Sequence, residues 1–288
     1  MISIIIINYN GTKFASKLIE SLNSQSIKYD EAVIIDNNSL DKSEKTFLEK
    51  LKHVTLCKFI KNKGFSSAVN IGIKAALYNN VLLLNNDTYL KTDFIENCLK
   101  NLNKYNNTFF APLVLTYDGK RIDSAGDKID RGFRPTKRMS GEKYNGNLKG
   151  EKIDGFSMSV AYFRKNDFMK IGPLDERFFM YFEDADFSLR AKEAGYDILF
   201  TPDCIAYHYI SAYTKSKYKS SYSPQKVYWE GRNRVWMFIK SKYKHNIFKV
   251  IEFIYGTITS FIFHLLKTMY FAEYANGVFF AFRGSKKL

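Results

Sequence analysis

Apolar and polar residues alternate in blocks along the first hundred positions. "SIIIIN" (3–8) is an unbroken apolar run, as expected of a strand buried on both faces. "EAVIID" (31–36), "VTLCKFI" (54–60), "VLLLNND" (81–87) and "TFFAPLVL" (108–115) repeat the theme. Between these runs lie stretches with helical spacing: 12–24, 39–52 behind a capping Ser39, 66–77 with apolar residues at 69, 73 and 77, and 92–103. Alternating strands and helices predict an α/β fold with a doubly wound, mostly parallel sheet and right-handed crossovers. From 117 to 153 the pattern degrades into Gly, Lys and Asp, which predicts hairpins or a mobile loop over the sheet edge. It resumes as a strand over 156–164, a short helix over 165–172 and a strand over 202–209.

In such sheets ligands bind beyond the carboxyl ends of the strands. Three strands end in polar clusters: "NYNG" after the first, "DNNS" after the second and "NNDT" after the fourth. Each alone is an ordinary turn composition; three along one sheet edge point to a site. A second cluster lies at "FFMYFEDAD", where aromatics run directly into Glu183, Asp184 and Asp186. Acids in the first turn of a helix are favoured by its dipole, and Arg190 and Lys192 fit the other end. That explains why acids are tolerated there, but not why they follow an aromatic wall.

Composition narrows the chemistry. A chain of 288 residues, 45% of them hydrophobic, suits one large domain or one domain with an appendage. Cys57, Cys98 and Cys204 are odd in number and lack metal-ligand spacing, so they read as structural thiols in a reducing compartment. "MISIIIINYNG" lacks a basic leader and reads as a strand, not a signal peptide. The net charge is +15, and residues 207–288, with 14 Lys/Arg against 3 Asp/Glu, carry most of it. That asymmetry suits an anionic partner, lipid or nucleic acid; no nucleic-acid-binding motif is present, which favours lipid. No G-x-G-x-x-G follows the first strand, and no P-loop, multi-His zinc motif or serine elbow occurs. What remains is Asp, Asn and one His at strand ends, hard ligands suited to Mg²⁺ or Mn²⁺ with a phosphate.

In order, "IIIINYNG", "IDNNSLD", "NKGFSSAVNIG", "LLNNDT" and "GPLDERFFMYFEDADFSLRAKEAGYDI", with a later His208, resemble the family 2 inverting glycosyltransferases of the GT-A fold, near their rhamnosyltransferase-like branch. The resemblance covers about 1–210 and implies a catalytic domain there, with a nucleotide-sugar half over about 1–115 and an acceptor half over about 116–210. It implies a nucleotide-sugar donor, dTDP-rhamnose or a UDP-hexose, held by Tyr9, Asn10, Asp36, Asn62, Gly64 and Asn86. "NNDT" stands where the family has D-x-D, so Asn85 replaces the first carboxylate and Asp87, with His208, is left to hold Mn²⁺ or Mg²⁺. Asp184 is implied as the catalytic base, with Glu183 and Phe182 at the acceptor and Asp186 structural. The acceptor class implied is a glycan or lipid-linked glycan of a surface polysaccharide.

Residues 211–288 interleave aromatics with Lys and Arg and then become apolar, but Glu252, His264, Lys267 and Glu273 interrupt the run. That predicts amphipathic helices lying on an anionic membrane, peripheral on the cytoplasmic face, and not a spanning helix. The bland alternative is a helical appendage packed on the catalytic domain or on a partner in a homodimer. Two other functions fit the fold: a non-catalytic nucleotide-sugar-binding subunit, supported by Asn85 alone, and a sugar nucleotidyltransferase. The latter needs a Gly-rich basic loop after the first strand, where "NYNGTKF" offers only Gly11 and Lys13.

Overall fold

The computed structural model describes residues 1–209 and 222–284. Strands β1 (Ile2–Asn8), β2 (Glu31–Asp36), β3 (Val54–Lys58) and β4 (Asn80–Asn85) pair in parallel in the order β4-β1-β2-β3. Every residue of β1 and β2 is buried, as their unbroken apolar runs require. Helices α1 (Thr12–Asn23), α2 (Glu44–Lys50), α3 (Gly64–Ala75) and α4 (Phe94–Lys104) cover the two faces. On α1 the buried Ala15, Leu18, Ile19 and Leu22 follow helical spacing.

The second half of the sheet is mixed. β6 (Thr108–Thr116) and β12 (Asp197–His208) pair in parallel, and β11 (Val160–Arg164) lies antiparallel between β4 and β6. β5 (Thr88–Leu90) and β10 (Glu151–Lys152) add to β12, and β7 (Ile122–Ser124) adds to β6. The segment from 117 to 153 takes the hairpin form: β8 (Asp127–Ile129) pairs with β9 (Pro135–Lys137). α5 (Lys165–Ile171) follows β11, and α6 (Glu183–Glu193) follows the aromatic segment. The sheet separates two cores, one around Val33, Leu83 and Phe109, the other around Ile4, Phe47 and Phe110.

Several boundaries differ from the sequence pattern for local reasons. Ser39 does not cap a helix, since α2 begins at Glu44; its hydroxyl instead accepts from Asn8 Nδ2 and the Asn10 amide. The fourth strand stops at Asn85 because Asn86 and Asp87 form the turn into β5. The last strand begins at Asp197, earlier than expected, and a register shift between Thr201 and Ile205 accommodates Pro202.

The C-terminal helices pack on the domain. α7 (Pro224–Lys240) is capped by Ser223, whose hydroxyl accepts from the Lys226 amide. It buries Val235, Trp236, Met237 and Phe238 against Phe133, Phe178, Phe182 and Ala185. α8 (Ile247–Phe263) continues through a π-helical turn to Thr268, and α9 (Phe271–Gly284) returns along α7. At Gly256 the backbone of α8 touches that of Gly132, where any side chain would collide at 2.8 Å.

Candidate active site

Parallel registers bring the polar strand ends together. Asn8 lies opposite Asp36, and Ile7 opposite Asn85. Asn8, the first residue of the "NYNG" cluster, ties this edge together. Its amide donates to Asp36 Oδ1 at 2.8 Å and Ser43 Oγ at 2.9 Å, while its oxygen accepts from Asn86 Nδ2 at 2.8 Å. Asp36 is fully buried, and its other oxygen accepts from the Ser39 amide. In this conformation both Asp36 and Asn86 therefore join neighbouring loops and do not point at open space, unlike the ligand-facing roles the resemblance implies. Gly11 is confined by the same cluster, since a Cβ there would lie 2.3 Å from Asn86 Nδ2.

The flanking residues fit a ligand edge better. Tyr9 is exposed, and its carbonyl accepts from Asn86. Asn10 adopts φ +49°, and its side chain accepts from the Leu40 amide at 2.9 Å. Asn62 accepts from the Gly64 amide at 2.8 Å and so sets the start of α3. Gly64 itself has φ +83°, and a Cβ would lie 2.4 Å from the Phe179 carbonyl oxygen. The neighbouring Phe65 amide donates to that same oxygen at 2.6 Å, joining this edge to the acidic segment.

His208 ends β12 beside β5, facing Asp87. Its Nδ1 lies 2.9 Å from Asp123 Oδ2, and its Nε2 lies 3.3 Å from Asp87 Oδ1 without hydrogen-bond alignment. Burial pushes the imidazole down, but Asp123 and Asp87 outweigh it and raise it to about 9. Asp123 is also bound by Lys137 Nζ at 2.8 Å; burial raises its carboxyl, and His208 and Lys137 together bring it below the usual range.

Two oxygens here, Asp87 Oδ1 and Asn85 Oδ1, are buried without a hydrogen-bond partner. Orphaned buried acceptors facing an imidazole nitrogen fit a hard divalent cation. The 3.3 Å between Asp87 and His208 is near the roughly 3 Å that separates adjacent ligands on one octahedral ion. The Asp123–His208 bond is the outer-shell support that ligating histidines usually have. No group of three His, Cys, Asp or Glu side chains is placed to hold a metal ion among the described residues, so the protein supplies few ligands of its own.

The acidic cluster opens on the same space. A cleft of about 440 Å³ is lined by Asn85, His208, Asp127, Phe182, Glu183 and Asp184, among others. None of Tyr9, Asn10, Asp36, Asn62, Gly64 and Asn86 lines it, but Phe65 and Asn85, next to Gly64 and Asn86 in the chain, do. Glu183 is buried with Oε2 unpartnered; burial and the neighbouring Asp184 charge push its carboxyl well up. Burial likewise raises Asp184, against hydrogen bonds such as that from the Ala185 amide. Asp127, in the segment where the sequence pattern failed, is raised to about 7 by burial and by Asp184. Burial raises all three carboxyls, the direction that brings a carboxylate toward the range useful to a general base. Asp186 points away and is held by Arg190 and by Lys240 of α7, each at 3.0 Å.

The aromatic segment is unusual in its backbone. Phe179, Tyr181 and Phe182 all have positive φ, between +65° and +70°, and none is glycine. Such conformations persist only where their surroundings hold them. Asp123, Asp127 and Lys137 had no motif to mark them; only the fold gathers them here.

The chain and its fold resemble those of known proteins. The chain is 27% identical over 243 residues to the low-salt glycan biosynthesis hexosyltransferase Agl10 of Haloferax volcanii, covering 81% of this chain and 74% of that protein. It is 24% identical over 229 residues to the rhamnosyltransferase WbbL of Escherichia coli, covering 73% and 83%. In fold it resembles the mannosyltransferase PcManGT of Pyrobaculum calidifontis in complex with GDP-Man and Mn²⁺, with a TM-score of 0.61 at 14% identity over 98% of this chain and 86% of that one. The profile described as Glycosyl transferase family 2 matches residues 3–172, more than half of the sequence. With this profile match and its GT-A-like sheet, the chain belongs to glycosyl transferase family 2.

Proposed function

We propose that this protein transfers a sugar, with inversion, from a nucleoside-diphosphate sugar to a hydroxyl of a glycan or lipid-linked glycan during surface polysaccharide assembly. The observation that carries this reading is the single cleft onto which Asp184, Glu183, Asn85 and His208 open, with Asp87 beside His208. Asp184 accepts the acceptor hydroxyl proton as that oxygen bonds to the anomeric carbon. The bond from that carbon to the diphosphate oxygen breaks, and its electron pair leaves with the nucleoside diphosphate. One displacement inverts the centre without a glycosyl-enzyme intermediate. Glu183, whose carboxyl burial pushes well up, donates to an acceptor oxygen when protonated, and Phe182 offers a ring face to the sugar. Asp87, His208 and the Asn85 amide oxygen would hold Mn²⁺ or Mg²⁺, which supplies positive charge to the leaving diphosphate. Tyr9, Asn10, Asn62 and Gly64 frame the nucleotide, with Asp36 and Asn86 bracing that frame or turning toward it. dTDP-rhamnose and UDP-hexoses are the donors to try first.

The same reading places the enzyme on the inner face of a cell membrane. Ile251, Ile254, Tyr255, Ile258 and Ile262 form an exposed apolar stripe on α8, beside exposed Lys242, Lys244 and Lys267. The helical run Ile247–Thr268 is 22 residues long, enough by length and composition to cross a bilayer. Its Phe253, Gly256 and Ser260 face is buried, however, and Gly256 rests on Gly132, which favours lying flat in the interface.

A thermal-shift screen of nucleotides and nucleotide sugars, with and without Mn²⁺, tests the donor site, and NMR of the product tests the anomer. Stabilisation by one nucleoside diphosphate, greater with metal, followed by an inverted product, is expected. A retained anomer removes the single-displacement mechanism, and no response to any nucleotide removes the donor assignment. Binding to anionic vesicles that salt reverses is expected of the stripe; no binding at low salt refutes the membrane assignment.

A further inference from the structure

Helix α7 lies outside the segment that carries the family motifs, yet it reaches the catalytic loop. Asn233 is fully buried. Its Nδ2 donates to three carbonyl oxygens of the aromatic segment: Phe178 O at 3.1 Å, Met180 O at 2.9 Å and Tyr181 O at 2.8 Å. Its Oδ1 accepts from Arg232 Nε at 2.8 Å, which fixes the amide orientation. Arg232 Nη2 adds a bond to Phe178 O at 2.8 Å. The remaining carbonyls are also used: Phe179 O accepts from the Phe65 amide, and Phe182 O from the Asp186 amide. Every carbonyl from 178 to 182 thus has a donor: Phe178 O also accepts from the Met180 amide, while Met180 O and Tyr181 O are held by Asn233.

These are the residues whose backbone is strained, at Phe179, Tyr181 and Phe182. Left-handed φ at non-glycine residues is unfavourable and needs outside support. The turn they make delivers the chain into α6 at Glu183, with Glu183 and Asp184 on the cleft. We propose that Asn233 is a positioning residue for the transfer reaction: by pinning the carbonyls of residues 178, 180 and 181, it holds the left-handed turn that aims Asp184 at the acceptor. Lys226 and Glu230, on the same helix, line the cleft directly. The C-terminal helix therefore completes the active site that the first 210 residues begin. This inference rests on the glycosyl-transfer reading with Asp184 as base.

The test compares Asn233→Asp and Asn233→Ala with wild type in the full chain. Asp keeps the size and the oxygen facing Arg232 but has no hydrogens to donate. Hydrogen exchange of the amides in 177–184 reads the pinning. UDP, dTDP and GDP with Mn²⁺ in a thermal shift read the donor site. Transfer of label from the stabilising nucleotide's sugars into a membrane extract reads catalysis. Expected are faster exchange in that segment, retained nucleotide stabilisation, and a fall in kcat of about 100-fold with the donor KM within about threefold, as displacement of a reacting group by about 1 Å produces. Unchanged exchange, transfer within about threefold of wild type, or equal loss of nucleotide binding and transfer would each overturn the proposal. If wild type transfers no sugar, the glycosyl-transfer reading fails, while the exchange comparison still decides the pinning. Should both Asn233 variants fail to fold, Arg232→Ala removes the bond from its Nη2 to Phe178 O and must give the same pattern at smaller amplitude; wild-type exchange and rate there would also overturn it.

Discussion

Replacing Asp184 by Asn should abolish transfer and at the same time make the protein more stable above neutral pH. Asp184 shares a poorly solvated cleft with Glu183 and Asp127, and its charge helps to raise both carboxyls. Asp127 moves from 3.8 to about 7, which at 1.36 kcal/mol per tenfold is on the order of 4 kcal/mol. Burial is the largest cause, Asp184 comes next, Lys137 opposes them and Asp123 adds to them, so removing the Asp184 charge should return roughly 1 kcal/mol. The sign follows from proton linkage. A carboxyl whose folded pKa is raised binds protons more tightly in the folded state, so its ionisation penalises the fold. That penalty is absent below about pH 4, grows as pH rises and is complete above about pH 7. Thermal melts at pH 5 and pH 8 should therefore show Asp184→Asn gaining about 2–4 °C over wild type at pH 8 and less at pH 5. Transfer should fall by about 10²–10⁴, the usual contribution of a positioned base, while nucleotide and Mn²⁺ still bind. A lower Tm than wild type at pH 8 would refute the electrostatic argument, and transfer within tenfold of wild type would refute the base assignment.

Asp123→Asn should weaken Mn²⁺ binding in the presence of nucleoside diphosphate by about 10–100-fold, because Asp123 orients His208; titration calorimetry showing unchanged affinity would remove that supporting role. Burial alone would raise Asp175, but Arg177 and Lys240 outweigh it and hold the carboxyl well below the usual range. Its stabilisation is present above about pH 4 and lost as pH falls further. Lys240→Ala should cost roughly 1–3 kcal/mol at pH 7, less than a fully broken buried pair because Arg177 and Arg190 remain, and should blunt the acid sensitivity; a urea midpoint equal to wild type at pH 7 would contradict it. Gly64→Ala should destabilise by at least about 1–2 kcal/mol through its left-handed backbone and the Phe179 carbonyl, with the wild-type urea midpoint as the refuting result.

The sequence alone determined the layered αβ order, because a buried parallel strand needs an unbroken apolar run and a covering helix needs a 3.6-residue stripe. It also placed the polar clusters, since strand ends are where such sheets expose side chains. It marked Asp87, Asp184 and His208 because their motifs are local and ordered. Tertiary structure alone decided which polar residues face open space. Asp36 and Asn86 lie in the expected segments, yet Asn8, whose hydrogen bonds cross between strands, draws them into a buried network. Asp123 and Asp127 come from a stretch with no periodicity, and only the pairing of β7 with β6 and β8 with β9 carries them to His208 and Asp184. The basic excess of the C-terminal region looked like surface charge, but Lys240 is spent on Asp175 and Asp186 and Arg234 is buried among neutral partners. Residues 210–221, part of the basic aromatic stretch read as membrane-binding, lie outside the described residues. Whether a lysine solvates a surface or pins a helix depends on what lies across from it, and that distance is set by the fold and not by neighbours in the chain.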